Sequence, residues 1–504
     1  MLAFPSGASA SVMALPGINL GNTLESTWGY PPPTKALIDS IAKVGFKTLR
    51  VPCAWNFNST NGTINAAYMT QVVNVVNWAI ADGMYVIIND HWDKGWFENS
   101  GFTNYDTNIN NNLINIWTQV ANQFKSTDNT KLAFACANEP GAWNQAQVTV
   151  LYQYYQNWIN AMRANGGGNA TRWLIVQAPS PWDWSVLLNY GTNMPADSAH
   201  KLMIEEHTYD PGEFAAQSSD STNGGRNMTY FWGSGYHVSG TLTNRNALSG
   251  MEECYMQTQF TKLKTNFSDK GYPVFLGEFR ATQKPTESDL SGSYKDQNYR
   301  SVTYWNKYME NTLASFGFDG SAWNIQNDIF DSSTGAILDW NMLNALLGNS
   351  AYPPIASLAT TAPVTHGTYR LISRLDGQAL DANGATNGTQ IIQWPYSGGT
   401  MQQWTVTDTG NGQYSIVGVQ SGLALDIYNG TTNDGTKVDL YYNWGGSMQK
   451  YIFTPTDSGY FRISPVSSTN SCLDVTGIST NAGTPIQQWT YWGGAGQQWG
   501  IVNP

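Results

Sequence analysis

Two glutamates sit where apolar runs give way to loops. Glu139 closes the run Leu132–Glu139 (LAFACANE) ahead of Pro140, and Glu278 stands near the end of Pro273–Phe279 (PVFLGEF). A pair of carboxyls can share out acid–base and nucleophilic work when their surroundings push their pKa values apart. Set about 5–5.5 Å apart across a glycosidic bond, one protonates the leaving oxygen while the other stays ionised and attacks the anomeric carbon. The ends of other apolar runs carry Asn22, Arg50, His91, Asn138, His207 with Tyr209, and Trp323. Singly, each has a plain structural explanation: Asn-Glu-Pro occurs in loops, a lone histidine is often a satisfied core residue, and Trp323 is core-like. As an ordered set at run ends they point to one converging site.

The elements that must position them are eight short runs in the first 350 residues: Gly17–Asn22, Thr48–Pro52, Tyr85–Asp90, Leu132–Glu139, Trp173–Ala178, Lys201–His207, Pro273–Phe279 and Gly320–Asn324. Nearly continuous apolar runs mark strands covered on both faces, as in a parallel sheet. Helical patterns lie between them, at Thr34–Val44, Tyr68–Ile80 and Val150–Met162. Eight such units predict an α/β fold, a (β/α)₈ or TIM barrel with enlarged loops, whose chemistry sits at the C-terminal ends of the strands. There, the ends of strands four and seven face each other across the barrel mouth.

The segments GINLGNTLE (17–25), FKTLRVP (46–52), INDHW (88–92), ANEP (137–140), EEHTYD (205–210), FLGEF (275–279) and SAWN (321–324) resemble glycoside hydrolase family 5 over the whole first domain. The family's functional positions fall on Arg50, His91, Asn138, Glu139, His207, Tyr209, Glu278 and Trp323. The resemblance implies Glu278 as nucleophile, kept ionised by Arg50 and Tyr209, and Glu139 as acid/base with His207 beside it. It implies that Asn138 holds the sugar 2-hydroxyl, that Trp323 floors that sugar and that His91 lines the same subsite. Many relatives carry paired histidines after strand three; Asp90 takes the first position here, which alters hydrogen bonding near the glycone sites. Asn22, Trp28, Trp92, Trp143 and Trp182 are the candidates for further substrate contacts. For Trp55, Trp96, Trp184 and Trp232, as for those four tryptophans, sugar stacking and core filling stay open.

Composition agrees with a sugar-handling chain. Charged residues make up only 12% of the 504, against 21 Trp and 27 Tyr, and broad aromatic faces suit the apolar faces of pyranose rings. The net charge of −11, with no Lys/Arg cluster, argues against nucleic acid or an anionic membrane as partner. No apolar run approaches the roughly 20 residues of a membrane span. Met1–Ala10 lacks the basic-then-apolar pattern of a signal peptide, so a secreted, extracellular location is expected from function alone. Cys53, Cys136, Cys254 and Cys472 fit no metal spacing, and Cys53 and Cys136 read as buried free thiols. No metal, no cofactor and a monomer are expected.

Near residues 350–365 the pattern dissolves into a Pro/Ala/Thr linker, which separates residues 1–349 from 366–504. Beyond it lies an internal repeat: Leu-Asp at 380, 425 and 473, Gly-Thr at 388, 435 and 483, and a closing Gln-x-aromatic at 402, 449 and 497. Three turn-rich copies predict a closed three-fold all-β domain rather than a propeller. The repeats resemble the ricin-type β-trefoil of carbohydrate-binding module family 13. That likeness places sugar-gripping aspartates at Asp381, Asp426 and Asp474, and stacking aromatics at Trp394, Tyr441, Trp444, Trp489 and Trp492. The closing Trp404, Tyr451 and Trp499 read as core. Met401, Met448 and Gly496 depart from the family's Asn before the closing Gln. The expectation is a retaining endo-β-glycanase acting on β-1,4-glucans (cellulose-like, mixed-linkage or xyloglucan) and carrying a sugar-binding trefoil. A mannanase or xylan-active relative, and an inactive lectin-like binding protein, are the alternatives.

Overall fold

Strands buried on both faces need a closed, covered sheet, and the computed structural model supplies one. It describes residues 12–504 apart from Trp28, Tyr30, 181–182, 221–224, Ser249, 285–286, 325–327, 350–363, Thr365, Asn411 and 457–459. The expected linker therefore lies almost wholly outside the described residues. The eight strands are β1 Gly17–Asn19, β2 Thr48–Cys53, β3 Tyr85–Asp90, β4 Leu132–Ala135, β5 Leu174–Gln177, β6 Leu202–His207, β7 Val274–Phe279 and β8 Asp319–Ala322. They pair in parallel, in chain order, and β8 closes on β1.

A helix follows each strand: α1 Lys35–Val44, α2 Ala66–Ala81, α3 Thr107–Gln123, α4 Gln145–Asn165, α5 Trp184–Tyr190, α6 Glu253–Asn266, α7 Gly292–Phe316 and α8 Trp340–Leu346. The starts are written in the sequence. Thr34, Asp106 and Asn144 cap α1, α3 and α4 by accepting N-terminal backbone N–H groups that the helix leaves unpaired. Gly45 ends α1 at φ 123°, in the region that favours glycine. The lower barrel is filled by Met13, Tyr85, Ile87, Ala133, Ala135, Ile175, Met203 and Phe275. The Asp319 carboxylate closes the bottom by accepting the backbone N–H groups of Val12 and Met13 at 3.0 and 3.1 Å.

Two runs, the fourth and the first, end well short of where the pattern suggests. The fourth apolar run extends to Glu139, but β4 stops at Ala135, and Glu139 turns into the left-handed region at φ 48° ahead of Pro140, which has no N–H for a ladder. The first stops at Asn19, short of Asn22, which also has positive φ at 54°. Strand ends that leave the ladder in this way turn side chains over the barrel mouth.

The chain forms two compact units, each drawn from separated stretches. The first takes in the described residues through Gln217 with Leu248–Ala281 and Tyr308–Leu338, and holds every barrel strand; the second takes in Ser218–Ala247, Thr282–Lys307 and Asp339–Pro504.

The second unit contains four strands per repeat: β9 Gly367–Ser373, β10 Ala379–Asp381, β11 Ile392–Trp394, β12 Trp404–Gly410; β13 Gln413–Gly418, β14 Ala424–Ile427, β15 Thr436–Tyr441, β16 Lys450–Pro455; β17 Tyr460–Pro465, β18 Ser471–Val475, β19 Ile486–Thr490, β20 Trp499–Val502. β9, β12, β13, β16, β17 and β20 close a six-stranded antiparallel barrel, and three hairpins (β10–β11, β14–β15, β18–β19) complete the trefoil. Trp404, Tyr451 and Trp499 are fully buried at its centre, as expected of the closing aromatics. All four cysteines are free thiols, with only Cys254 exposed. Among the described residues no helix is long and apolar enough to cross a membrane.

Candidate active site

Arg50 organises the mouth of the barrel. It lies mid-β2, on the opposite face of the strand from its neighbours Leu49 and Val51, and is fully buried; an isolated guanidinium there would be prohibitively costly. It is met on four sides. One Nη donates to Asn19 Oδ1 at 2.9 Å and Glu278 Oε1 at 3.0 Å; the other reaches Glu205 Oε1 at 2.9 Å and Asn138 Oδ1 at 3.0 Å. A rigid planar fork thus ties β1, β6, β7 and the end of β4 to β2.

Glu278 takes one hydrogen-bond partner from that frame and a second from beyond β6. Arg50 holds Oε1, and the Tyr209 hydroxyl donates to Oε2 at 3.0 Å. His207 Nδ1 lies 3.7 Å from Oε2 and His91 Nδ1 3.8 Å from Oε1. A bulge between Glu206 and His207 pairs His207 with Glu278 and brings these side chains together. Burial, with the Glu139 charge beside it, leaves the Glu278 carboxyl above its ordinary value, against the downward pull of the His207 and Arg50 charges and the Tyr209 hydrogen bond.

Glu139 sits in a different environment. Its side chain is 28% exposed against 6% for Glu278, and its Oε1 lies 2.9 Å from His207 Nδ1. Burial opposes charge on His207, yet the Glu278 charge and the hydrogen bonds to Glu139 and Glu205 outweigh it, raising its pKa to about 10. His91 behaves oppositely: burial, then Arg50 and His207, hold it well below its ordinary value, so it is neutral. Its ring stacks on Trp323 with centroids 5.1 Å apart and planes 5° from parallel. Gly21 allows this, since a Cβ there would lie 2.7 Å from the Trp323 ring.

One donor atom each from Glu139, His207 and Glu278 lies within 4.8 Å of the others. A metal ion there would meet a protonated imidazole, which repels a cation, and carboxyls already engaged, Glu139 by His207 and Glu278 by Arg50 and Tyr209. Proton transfer between carboxyls of unlike exposure is the chemistry this arrangement allows.

The eight positions implied by the family resemblance therefore form one connected cluster, while Asn22, also expected at a strand end, lies outside it. Two of its supports are not apparent in the sequence reading: Asn19, which also donates to the Gly277 and Ser321 carbonyls at 2.8 and 3.0 Å, and Glu205. Strand alternation could have found Glu205, which lies two residues before His207 and so shares its face. Asp90 is buried, and burial, with Asp93 and Glu98 beside it, pushes its carboxyl well up.

Among the outer candidates, Trp92 and Trp143 are exposed, at 43% and 49%, which suits platforms rather than core. Asn22 is half-buried, and its backbone N–H is held by the Glu25 carboxylate. Trp28 and Trp182 lie outside the described residues. Trp55, Trp184 and Trp232 are buried and act as core.

In the trefoil, Trp394, Tyr441, Trp444, Trp489 and Trp492 are all exposed. Asp381 accepts the Asn383 backbone N–H at 2.7 Å, and Asp474 accepts from Gln487 at 2.8 Å. Asp426 is pushed up to about 6 by burial. The closing glutamines have a task the repeat alone does not reveal. Gln402, Gln449 and Gln497 accept the backbone N–H of Ser397, Trp444 and Trp492 at 2.7, 3.0 and 2.8 Å. Each thereby fixes the loop that presents the outer polar or aromatic position of its repeat.

The family model described as "Cellulase (glycosyl hydrolase family 5)" matches residues 7–325, and one described as "Ricin-type beta-trefoil lectin domain-like" matches 357–441 and 447–504. Endoglucanase A of Paenibacillus barcinonensis is 30% identical over 374 residues, covering 66% of this chain and 87% of that protein. The xyloglucan-specific endo-β-1,4-glucanase BoGH5A of Bacteroides ovatus is 28% identical, covering 64% of this chain and 66% of that one. Among solved structures, XEG5B is a GH5 xyloglucan-specific β-1,4-glucanase from a ruminal metagenomic library, in complex with XXLG. It is 34% identical with a TM-score of 0.58, over 66% of this chain and 92% of that one.

Proposed function

This chain belongs to glycosyl hydrolase family 5, an endo-β-glucanase-type glycoside hydrolase, and from that membership we propose that it cuts β-1,4-glucans internally with retention of configuration. Xyloglucan is the polymer we assign first, on the strength of what its relatives are named for acting on. In this reading Glu139 protonates the glycosidic oxygen while the Glu278 carboxylate attacks C1 and forms a glycosyl ester. Glu139 then takes a proton from the water that attacks C1 and frees Glu278. Arg50 and Tyr209 hold the Glu278 oxygens in line; Asn138 engages the 2-hydroxyl; Trp323, backed by His91, floors the sugar. Trp92 and Trp143 serve as outer platforms.

The observation that carries this reading is the pairing of two carboxyls, with oxygens within 4.8 Å, in unlike surroundings. That closeness supports the retaining arrangement, because inverting enzymes leave room for a water between carboxyls some 6.5–9.5 Å apart. We assign residues 1–349 as catalytic domain, 350–365 as linker and 366–504 as a sugar-binding module, in a secreted monomer. The test is reducing-end release from β-glucan, xyloglucan, glucomannan and xylan, with Glu278→Ala alongside. Activity on the β-1,4-glucans that vanishes in the variant is the expected result. Release from mannan or xylan alone would overturn the substrate class, and release from none would overturn the enzymatic reading.

A further inference from the structure

Glu205 has no place in the scheme above, yet it is a fully buried carboxylate at its centre. Its Oε1 lies 2.9 Å from an Arg50 Nη and 3.2 Å from His207 Nε2, and its side chain has no exposed surface. Space for it is reserved across the ladder: a Cβ on Gly277 would fall 1.9 Å from Glu205 Oε1. The same imidazole faces Glu139 Oε1 through Nδ1 at 2.9 Å. Each ring nitrogen of His207 is thus aimed at a carboxylate oxygen. A neutral imidazole has one N–H and one lone pair, so two such contacts need two protons. One sits on Nε2 facing Glu205. The other occupies the Nδ1–Glu139 hydrogen bond, on either side of it.

We propose that Glu205 is a positioning residue for the catalytic proton: it fixes a proton on His207 Nε2, and its charge keeps a second proton shared between His207 Nδ1 and Glu139. This deepens the glucanase reading and rests on it. The proton in that hydrogen bond is the one Glu139 passes to the leaving oxygen. Glu205 touches no substrate; it acts through His207.

Other charges around His207 are fixed by the same frame. Glu278 from β7 lies 3.7 Å away. Glu206 precedes His207 on its own strand, and Arg50 from β2 is bound to both Glu205 and Glu278. His91, beyond β3, is neutral, and the Tyr209 hydroxyl stays protonated, because burial, with Glu278 and Glu139 beside it, pushes it well above its ordinary range. Against this background Glu205→Gln removes one negative charge and little volume.

The experiment is the pH profile of kcat/KM for wild type and Glu205→Gln on a soluble gluco-oligosaccharide, with ring ¹⁵N chemical shifts of His207 followed from pH 5 to 10 in the wild type. The alkaline limb should move down by roughly one pH unit or more in the variant, since a buried opposite charge at this distance commonly shifts a partner by about 1–3 units. A merely structural Glu205 would lower activity and leave the limb in place, and that result overturns the proposal. In the wild type both ring nitrogens should keep protonated or proton-sharing shifts past pH 8. A ring titrating near pH 6.5, like free imidazole, overturns the proposal even if Glu205→Gln fails to fold. Absence of glucanase activity would sink the functional reading, while the nitrogen shifts would still report on Glu205.

Discussion

Glu139 and Glu278 are chemically identical side chains made unlike by what surrounds them. Glu278 is buried against a guanidinium and a tyrosine hydroxyl; Glu139 is partly exposed and bound to an imidazole. Glu278→Ala should lower kcat on polymer by on the order of 10⁴-fold or more, as removal of a catalytic nucleophile does. Glu139→Ala should lose roughly 10²–10⁴-fold on polymer, the usual share of acid–base catalysis, but much less on an aryl glycoside whose leaving group needs no proton. Gly277→Ala forces a methyl into the Glu205 carboxylate, and denaturant unfolding should show a loss of about 1–3 kcal/mol. At this scale the sequence was informative where a polar residue stands at the end of an apolar run, as at His91 and Glu278. It was silent on Asn19 and Glu205. Strand alternation puts Glu205 on the face of His207, but barrel closure is what brings both it and Asn19 against Arg50.

At the scale of elements, all eight strands and the three named helices were legible, because burial on two faces and the helical period each leave a pattern. Strand ends were not. LAFACANE reads as one run, yet its last four residues leave the ladder. Past the strand the chain turns with a positive φ at Glu139, which composition does not encode. Helix starts fared better, since caps are single residues. Thr34 accepts the Leu37 N–H at 3.2 Å, so Thr34→Ala should cost about 1 kcal/mol in chemical denaturation and leave kcat/KM unchanged. In the trefoil the repeat predicted three copies and their core aromatics. The side-chain hydrogen bonds from Gln402, Gln449 and Gln497 to the platform loops could be seen only once the repeats had folded.

For the whole molecule, composition suggested sugar before any motif did, and the exposed aromatics of the trefoil agree with it. Trp444→Ala with Trp492→Ala should weaken binding to insoluble glucan in a pull-down and reduce activity on it, with short soluble oligosaccharides almost unaffected. Equal loss on both would count against a sugar-binding trefoil. Stability should also depend on pH in a particular direction. Glu25, buried, has its carboxyl raised to about 7 from 4.5, so folding loses stability as pH rises between those values. His207, raised to about 10 from 6.5, contributes stability that is complete below 6.5 and lost as pH rises through 10. Asp331, lowered to about 2 from 3.8, works on the other side, losing its contribution as pH falls through 2. Tm followed by tryptophan fluorescence should therefore peak near pH 4–5 and fall steadily toward pH 10. A Tm that climbs between pH 5 and 9 would contradict the buried, proton-holding cluster.

The most direct measurement is to trap the intermediate with a 2-deoxy-2-fluoro gluco-oligosaccharide carrying a good leaving group and to map the adduct by peptide mass spectrometry. The division of roles between the two carboxyls predicts a single glycosyl ester on Glu278. An adduct on Glu139, or on any other residue, would contradict it.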